Sequence, residues 1–231
     1  MKSARVLNKS LYQEIETGIM KSTRELNQYL YQEIKKRKSV TIDIDGQNSV
    51  AVGLDEKVEV TVNGEAGDFF GALNNGASIV VNGNAGRFAG DVMRSGNIFI
   101  NGNCGEGSGM YMYGGQVVVN GNAGDNIGQI SKGGTILVKG DAGDFVGLYL
   151  TGGDIIILND SGEKTGDWMI KGRIFIGGNI ASLGNNAIIQ KLIDNDRRFL
   201  ETLFTENKIQ FPLDNIKKIV PKELRPFYKE S

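Results

Sequence analysis

The sequence repeats with a period of nineteen, without insertion or deletion, from Asn63 to Ile176 and so gives six consecutive units. Each unit has glycine at its fifth and ninth places and an apolar, mostly β-branched triplet at its last three places. The triplets are typical of strands, and a unit this short has no room for a helix between them. Stacked units bring equivalent strands side by side in parallel. The repeat therefore predicts an all-β core, a right-handed parallel β-helix of about seven to eight coils.

Two glycine columns recur in all six units, and we predict that both are structural turns. A coil of this length must bend sharply several times, which requires either a positive φ or a close approach of backbones that a Cβ would obstruct. The fifth-place glycines are Gly67, Gly86, Gly105, Gly124, Gly143 and Gly162, and the ninth-place glycines are Gly71, Gly90, Gly109, Gly128, Gly147 and Gly166.

The repeat fades at both ends and gives way to helical patterns. A strand candidate at 40–44 predicts a partial coil before Asn63, and a seventh unit beginning at Gly177 loses phase after Gly184. Apolar residues then recur at helical spacing in three segments, one of them after a possible capping box of Ser22 and Glu25. These segments carry Leu7, Leu11, Ile15 and Ile19; Leu26, Tyr29, Leu30 and Ile34; and Phe199, Leu200, Leu203 and Phe204.

These patterns divide the chain into an N-terminal helical segment at 1–38, a parallel β-helix at 39–190 and a C-terminal helical tail at 191–231. An open β-helix exposes unpaired backbone and apolar core at both ends. We therefore expect the terminal helices to cap these ends, and docking to another subunit is the alternative role for them.

Composition removes several classes of chemistry from this chain. It contains no histidine and one cysteine, Cys104, so it cannot build a Ser-His-Asp triad, a His-ligated zinc site or a Cys-ligated iron–sulfur cluster alone. A net charge of −1 and a pI near 5.7 give no general attraction for nucleic acid or membrane. The first thirty residues contain no signal-like or bilayer-spanning apolar run, so we expect an intracellular, cytoplasmic protein.

Three features of the repeat invite a catalytic or binding interpretation, and we expect each to be structural. The glycine-rich stretch 102–109 lacks the spacing and the following helix of a nucleotide-binding loop. Cys104 occupies the fourth place, where other units carry Ala or Ser, and is predicted to be buried and inert. Acids at the sixth place could hold calcium or act as catalytic carboxylates, but their mutual repulsion favours a solvated turn. This column holds Asp68, Glu106, Asp125, Asp144 and Glu163, interrupted by Arg87.

We therefore predict no catalytic, cofactor-binding or metal-binding residue in this chain. Asparagines at the first and third places are expected to form amide ladders along the rod, each side chain bonding the next. They are Asn63, Asn82, Asn101 and Asn120 at the first place, and Asn84, Asn103 and Asn122 at the third.

The eleventh and twelfth places decide which side chains the rod presents to a partner. Adjacent residues on an extended coil point to opposite sides, so only one of the two columns enters the core. The narrow interior favours methionine, so we predict that Tyr111, Tyr149 and Trp168 form an exposed stripe that binds a partner; the reverse orientation is the alternative. The eleventh places hold Leu73, Val92, Tyr111, Ile130, Tyr149 and Trp168, and the twelfth hold Asn74, Met93, Met112, Ser131, Leu150 and Met169.

The repeated N-G-N-A-G-x-x-x-G, with G-G before an apolar triplet, resembles the GXGXG domain. That domain occurs at the C-terminus of the glutamate synthase large subunit and in one of the subunits of formylmethanofuran dehydrogenase. The flanking stretches at 23–27, 48–54 and 177–184 are similar to free-standing glutamate synthase domain 3-like proteins. Those proteins form one subunit of split glutamate synthase-like or N-methylglutamate synthase-like assemblies.

The resemblance implies a non-catalytic scaffold subunit of an oxidoreductase complex in glutamate biosynthesis and nitrogen metabolism. It places the chemistry in partners: a flavin and iron–sulfur subunit that carries FMN and the clusters, and a glutamine amidotransferase subunit. This chain then needs no cofactor of its own. The alternatives are a component like the GXGXG-containing subunit of formylmethanofuran dehydrogenase, a self-sufficient carbohydrate-active or metal-binding β-helix, and a free-standing homo-oligomer.

Overall fold

The computed structural model describes residues 22–224, so the first predicted helix, with its stripe at 7–19, lies outside the described residues. The described chain is a β-solenoid of about seven turns, which confirms the predicted fold class. Neither of its α-helices is long and apolar enough to cross a membrane. The helices are α1 (Thr23–Ile34), α2 (Asp194–Glu206) and a 3₁₀ turn (Leu213–Asn215); the strands are β1 (Ser39–Asp43), β2 (Glu59–Asn63), β3 (Asn75–Asn82), β4 (Ser95–Ile100), β5 (Gln116–Val119), β6 (Lys132–Val138), β7 (Gly152–Ile157), β8 (Arg173–Ile176), β9 (Ala187–Gln190) and β10 (Lys217–Pro221).

Strands β1 to β8 form one continuous parallel sheet in which each strand pairs with the next along the chain. From β2 onward the register is the sequence period, so that Val60 lies beside Ile79, one period later. The β1 register is one residue longer, since Val40 pairs with Val60. The segment before the repeat therefore forms a coil one residue longer than the repeat unit, where we expected only a partial coil.

At the other end of the repeat the coils lose phase between Ile180 and Leu183, slightly before the predicted point after Gly184. Ser161 bridges Ile180, a full period later, but Thr165 bridges Leu183, which falls one residue short of a period. The chain then leaves the solenoid pattern and enters an antiparallel pair of strands, β9 and β10.

Strand alternation decides which residues of each apolar triplet fill the solenoid. Ile79 and Val81 are fully buried, whereas Val80 between them faces the other side of the sheet and is partly exposed. Helix α1 begins at the predicted capping box and packs Leu26 and Leu30 into the same core. Its Asn27 also bonds backbone groups of the first coil, so α1 covers the N-terminal end of the solenoid.

The C-terminal helix lies along the outer face of the sheet, whereas we expected it to cover an end. Leu200, Leu203 and Phe204 of α2 pack against eighteenth-place side chains that alternate outward. The end of the solenoid is completed by β10, which inserts between β8 and β9 and pairs with both in antiparallel fashion. The tail that we predicted as helical thus also contributes a strand. The eighteenth-place residues in this second core are Val118, Leu137, Ile156 and Phe175.

A buried ion network attaches α2 to the sheet. The carboxylate of Asp196 accepts hydrogen bonds from Lys218 Nζ at 2.7 Å, from Arg173 at 2.9 Å and from the N–H of Ile193 at 3.0 Å. Burial alone would raise the pKa of Asp196, but the hydrogen bonds, led by that from Lys218, outweigh it and lower this pKa. The Arg173 guanidinium also lies 4.7 Å from the ring centroid of Phe199. Charged and aromatic contacts therefore fix the helix against β8 and β10.

The two glycine columns exclude side chains by different geometries. Gly124, at the fifth place, has no positive φ, but a Cβ there would lie 2.7 Å from the backbone nitrogen of Glu106 in the previous coil. Gly128, at the ninth place, has a φ of +68°, and a Cβ there would lie 2.5 Å from Cδ1 of Ile155. Close stacking of coils therefore crowds the first column, while the second column combines crowding with a left-handed backbone.

Alanine substitutions separate these two effects, with Gly46 as the matched control because it has a φ of +75° and nothing within 4 Å of its Cβ position. We expect G46A to lower the free energy of unfolding by about 1 kcal/mol through strain alone. G124A should cost about 1–3 kcal/mol through overpacking, and G128A should cost about the sum of the two. Urea denaturation measures all three, and equal losses would contradict the crowding argument.

Candidate partner-binding surface

Left-handed backbone recurs at the seventh, ninth and eleventh places of each coil. The N–H groups at these places alternate in direction: those of Asn126 and Ile130 donate to carbonyls of the next coil, and that of Gly128 donates to the previous coil. Hydrogen bonding between coils therefore imposes a positive φ on the seventh and eleventh places even where the side chain is large. This backbone conformation is set by the stacking of coils and not by the intrinsic φ preference of the residue.

This geometry turns the eleventh-place side chains outward and the twelfth-place side chains inward. Met93 and Met112 are fully buried, whereas Tyr111 is 41% and Tyr149 is 39% exposed. Trp168 is partly exposed. The methionine column thus faces the core, as predicted, and the aromatic column faces out. We call the eleventh-place column the outer stripe; its members are Leu73, Val92, Tyr111, Ile130, Tyr149 and Trp168.

The outer stripe holds residues that suit its backbone poorly. A left-handed φ costs an ordinary L-residue about 1–2 kcal/mol, and it is least suited to β-branched residues such as Val92 (φ 55°) and Ile130 (φ 58°). Glycine and asparagine fit better, as Gly107 and Asn126 do at the seventh place and Gly53 does at the equivalent of the eleventh place in the first coil. Six large apolar side chains on a strained, partly exposed position are not what stability alone favours. Phe69, Phe88 and Phe145 have the same backbone conformation at the seventh place, but only the eleventh place carries a large apolar side chain in all six units. The stripe is therefore the best candidate for a functional surface.

Cations and a further aromatic ring border the outer stripe at the thirteenth place. Tyr113 is 51% exposed, and its hydroxyl lies 3.1 Å from Lys132 Nζ. The Lys132 ammonium lies 4.5 Å and the Arg94 guanidinium 5.8 Å from the centroid of the same ring. The hydrogen bond and charge of Lys132 lower the pKa of Tyr113. This border can bind apolar and anionic groups together.

Three of the five sixth-place acids accept a backbone N–H of the next coil, a role that sequence reasoning missed. The Asp125 carboxylate accepts the N–H of Asp144 at 2.8 Å, and Asp144 accepts the N–H of Glu163 at 2.7 Å. The Asp68 carboxylate accepts hydrogen bonds from the guanidinium and from the backbone N–H of Arg87. These hydrogen bonds lower the pKa of Asp68. Within residues 22–224 no group of three or more His, Cys, Asp or Glu side chains is placed to hold a metal ion.

The asparagine columns have two different roles. At the first place Nδ2 of Asn82 donates to Oδ1 of Asn63 at 2.8 Å, and the same bond repeats in the following coils, which confirms an amide ladder. At the third place the predicted ladder is wrong, because the side chain accepts a backbone N–H, as Asn84 does from Asn103 at 2.7 Å. Asp141 serves equally well there, accepting the next N–H at 3.1 Å. Asp replaces Asn in some units of this column, and a carboxylate can only accept hydrogen bonds. The sequence therefore contained a sign that this column accepts and does not donate.

Comparison with known families now bears on these surfaces. A family model described as the GXGXG motif matches residues 8–219, which include all six units of the repeat and most of the chain. The chain belongs to the GXGXG motif family. The GXGXG domain is found in glutamate synthase, so the resemblance seen in the repeat is confirmed at the level of the family. No match was found among curated proteins.

The cysteine of this GXGXG chain is a packing residue. Cys104 lies between Ala85 and Ala123 in the fourth-place column and is 7% exposed. Burial raises the pKa of its thiol to about 11. The thiolate is the reactive form, so this residue is a poor nucleophile at neutral pH.

Thiol labelling should report this burial directly. At pH 8 roughly one thousandth of the Cys104 thiol is ionised in the folded chain, against about a quarter for a free thiol. We expect labelling by Ellman's reagent to be at least about 100-fold slower in the native protein than in guanidinium chloride. The control is C104A/N101C, whose thiol at an exposed first place should react quickly when folded. Rapid native labelling of Cys104 would overturn its assignment as buried.

Backbone strain in the outer stripe predicts that glycine is more stabilising than alanine at position 130, the reverse of the usual order. Both I130G and I130A remove the side chain, but only glycine relieves the left-handed φ, so I130G should be more stable by about 1 kcal/mol. At Thr135, which lies in a strand, the usual order with alanine above glycine should hold. Chemical denaturation of the two pairs makes the comparison, and the same order at both positions would contradict the strain.

Proposed function

We propose that this chain is the non-catalytic scaffold subunit of a glutamate synthase-like or N-methylglutamate synthase-like oxidoreductase complex. The occurrence of the GXGXG domain in glutamate synthase supports this assignment. The observation that carries it is the outer stripe, whose large apolar side chains are held partly exposed on strained backbone. Burial of such a stripe against another subunit removes its exposed apolar surface from water.

The side chains of this chain favour a structural role within such a complex. There is no histidine, and the cysteine is buried with a raised pKa. Several of the sixth-place carboxylates hold backbone N–H groups between coils. We therefore assign glutamine hydrolysis to a glutamine amidotransferase subunit and electron transfer to a subunit that carries FMN and iron–sulfur clusters.

The solenoid supplies what a scaffold needs, which is a rigid edge of defined length. Seven turns at about 4.8 Å each give a rod of roughly 34 Å. The stripe runs along six of these turns, so its first and last members lie about 24 Å apart. Such a complex would act in the cytoplasm, in glutamate biosynthesis.

Purification of the tagged chain from its source organism tests the proposal. We expect flavin and iron to co-purify in stoichiometric amounts, together with glutamine-dependent formation of glutamate from 2-oxoglutarate. The recombinant chain alone should be colourless and inactive. Flavin or iron bound by the isolated chain, or a native preparation that lacks both, would contradict the proposal.

Alanine variants connect the complex to the outer stripe. Y111A/Y149A should lower the co-purified flavin by about tenfold, because interface aromatics commonly carry about 1 kcal/mol or more each. Its melting temperature should stay close to that of the parent chain, since both rings are partly exposed. E201A/E206A on the exposed face of α2 is the control and should leave the flavin content unchanged.

A further inference from the structure

The places that follow the outer stripe in each coil, the twelfth to fourteenth, carry charge of one sign, whereas the tenth place before it includes Asp91 and Asp167. The eleventh to fourteenth places of the six units contain three charged residues, Arg94, Lys132 and Lys171, and no Asp or Glu. All three cations are exposed. They fall in the second, fourth and sixth units, so with coils about 4.8 Å apart they recur roughly every 10 Å along the stripe. We call these three residues the basic flank.

Negative charge collects on a different side of the same rod. The third and sixth places of the six units carry eight acids against a single cation, Arg87, which pairs with Asp68 at 2.7 Å. The chain as a whole is nearly neutral, with a net charge of −1. The basic flank is therefore a local feature of the stripe. The acids are Glu65, Asp68, Glu106, Asp125, Asp141, Asp144, Asp160 and Glu163.

We propose that the outer stripe binds a partner protein whose matching surface is apolar and rimmed by carboxylates about 10 Å apart. This inference rests on the proposed scaffold function and adds the chemistry of the partner's surface. Tyr113 joins the two parts of the site, because its exposed ring lies against both Arg94 and Lys132. A partner carboxylate can pair with these cations while its apolar neighbours cover Tyr111 and Ile130.

Other occupants fit this surface less well. A second copy related by a twofold axis perpendicular to the rod would bring the basic flank against itself, which costs rather than gives binding energy. Nucleic acid would find three cations over six coils, few phosphate contacts, and aliphatic side chains such as Leu73 and Val92 that offer no ring for a base. An acidic protein surface with apolar residues satisfies both the charge and the stripe.

Site-specific photo-cross-linking in the source organism tests this assignment. Benzoylphenylalanine replaces Tyr111 in one full-length variant and Glu106, on the acidic side, in the control. After irradiation, the tagged chain is purified and the cross-linked peptides are identified by mass spectrometry. We expect the Tyr111 variant to cross-link a different protein through a segment of net negative charge, with a yield at least about tenfold above the control.

Charge reversal checks that the basic flank contributes. R94E/K132E should lower the cross-link yield from position 111 by about tenfold or more, and so should roughly 500 mM salt added to an extract before irradiation. The matched reversal E106K/E163K, which adds positive charge on the acidic side, should leave the yield within about twofold.

The outcomes separate this inference from the scaffold function. A cross-link to a second copy, a cross-link abolished by nuclease, or a partner segment of net positive charge would overturn the acidic partner. If position 111 gives no cross-link while flavin and iron co-purify, whether or not position 106 cross-links, the stripe is overturned as the binding surface and the cofactor content still supports the complex. An acidic partner captured without flavin or iron would support the inference and contradict the glutamate synthase-like complex.

Discussion

Backbone hydrogen bonds hold each coil against the next, and they dictate both the glycine pattern and the side chains that face outward. The N–H of Gly124 donates to the carbonyl of Cys104 in the coil before it, and a Cβ at Gly124 would meet that coil at 2.7 Å. The stack can form only where this approach is open, which explains why the fifth place is glycine in every unit. The side chains of the turns then serve the same bonds, since those of Asp125 and Asn84 accept N–H groups that the backbone carbonyls leave unpaired.

The same hydrogen bonds decide what faces outward. Alternating N–H directions impose a left-handed backbone on the eleventh place and turn its side chain away from the core, so that Met112 is buried and Tyr111 is exposed. Glycine would relieve the strain at no cost to the stack, as Gly53 does in the first coil. Large apolar residues at this place are therefore not explained by the stability of the isolated chain. Binding to another subunit, as proposed above, explains them.

The solenoid has three distinct faces, which differ in charge and in what they contact. Helix α2 covers the outward eighteenth-place residues, so that face is already occupied within the chain. Most carboxylates of the acidic side accept backbone N–H groups of the next coil. The outer stripe and its basic flank combine exposed aromatic rings with positive charge, and this combination favours an acidic partner.

The repeat was enough to predict the fold, because a period of nineteen without gaps allows few architectures and each unit repeats the same turns and triplet. It also predicted the burial of Cys104, the first-place amide ladder and helix α1, since each depends on local or next-coil neighbours. Two features came only from the tertiary structure: the position of α2 on the flank, with β10 between β8 and β9, and the acceptor role of the sixth-place acids. The positions of α2 and β10 depend on contacts between residues distant in sequence, such as Asp196 with Lys218. The role of the acids depends on backbone N–H groups of the next coil, which the pattern of side chains does not reveal.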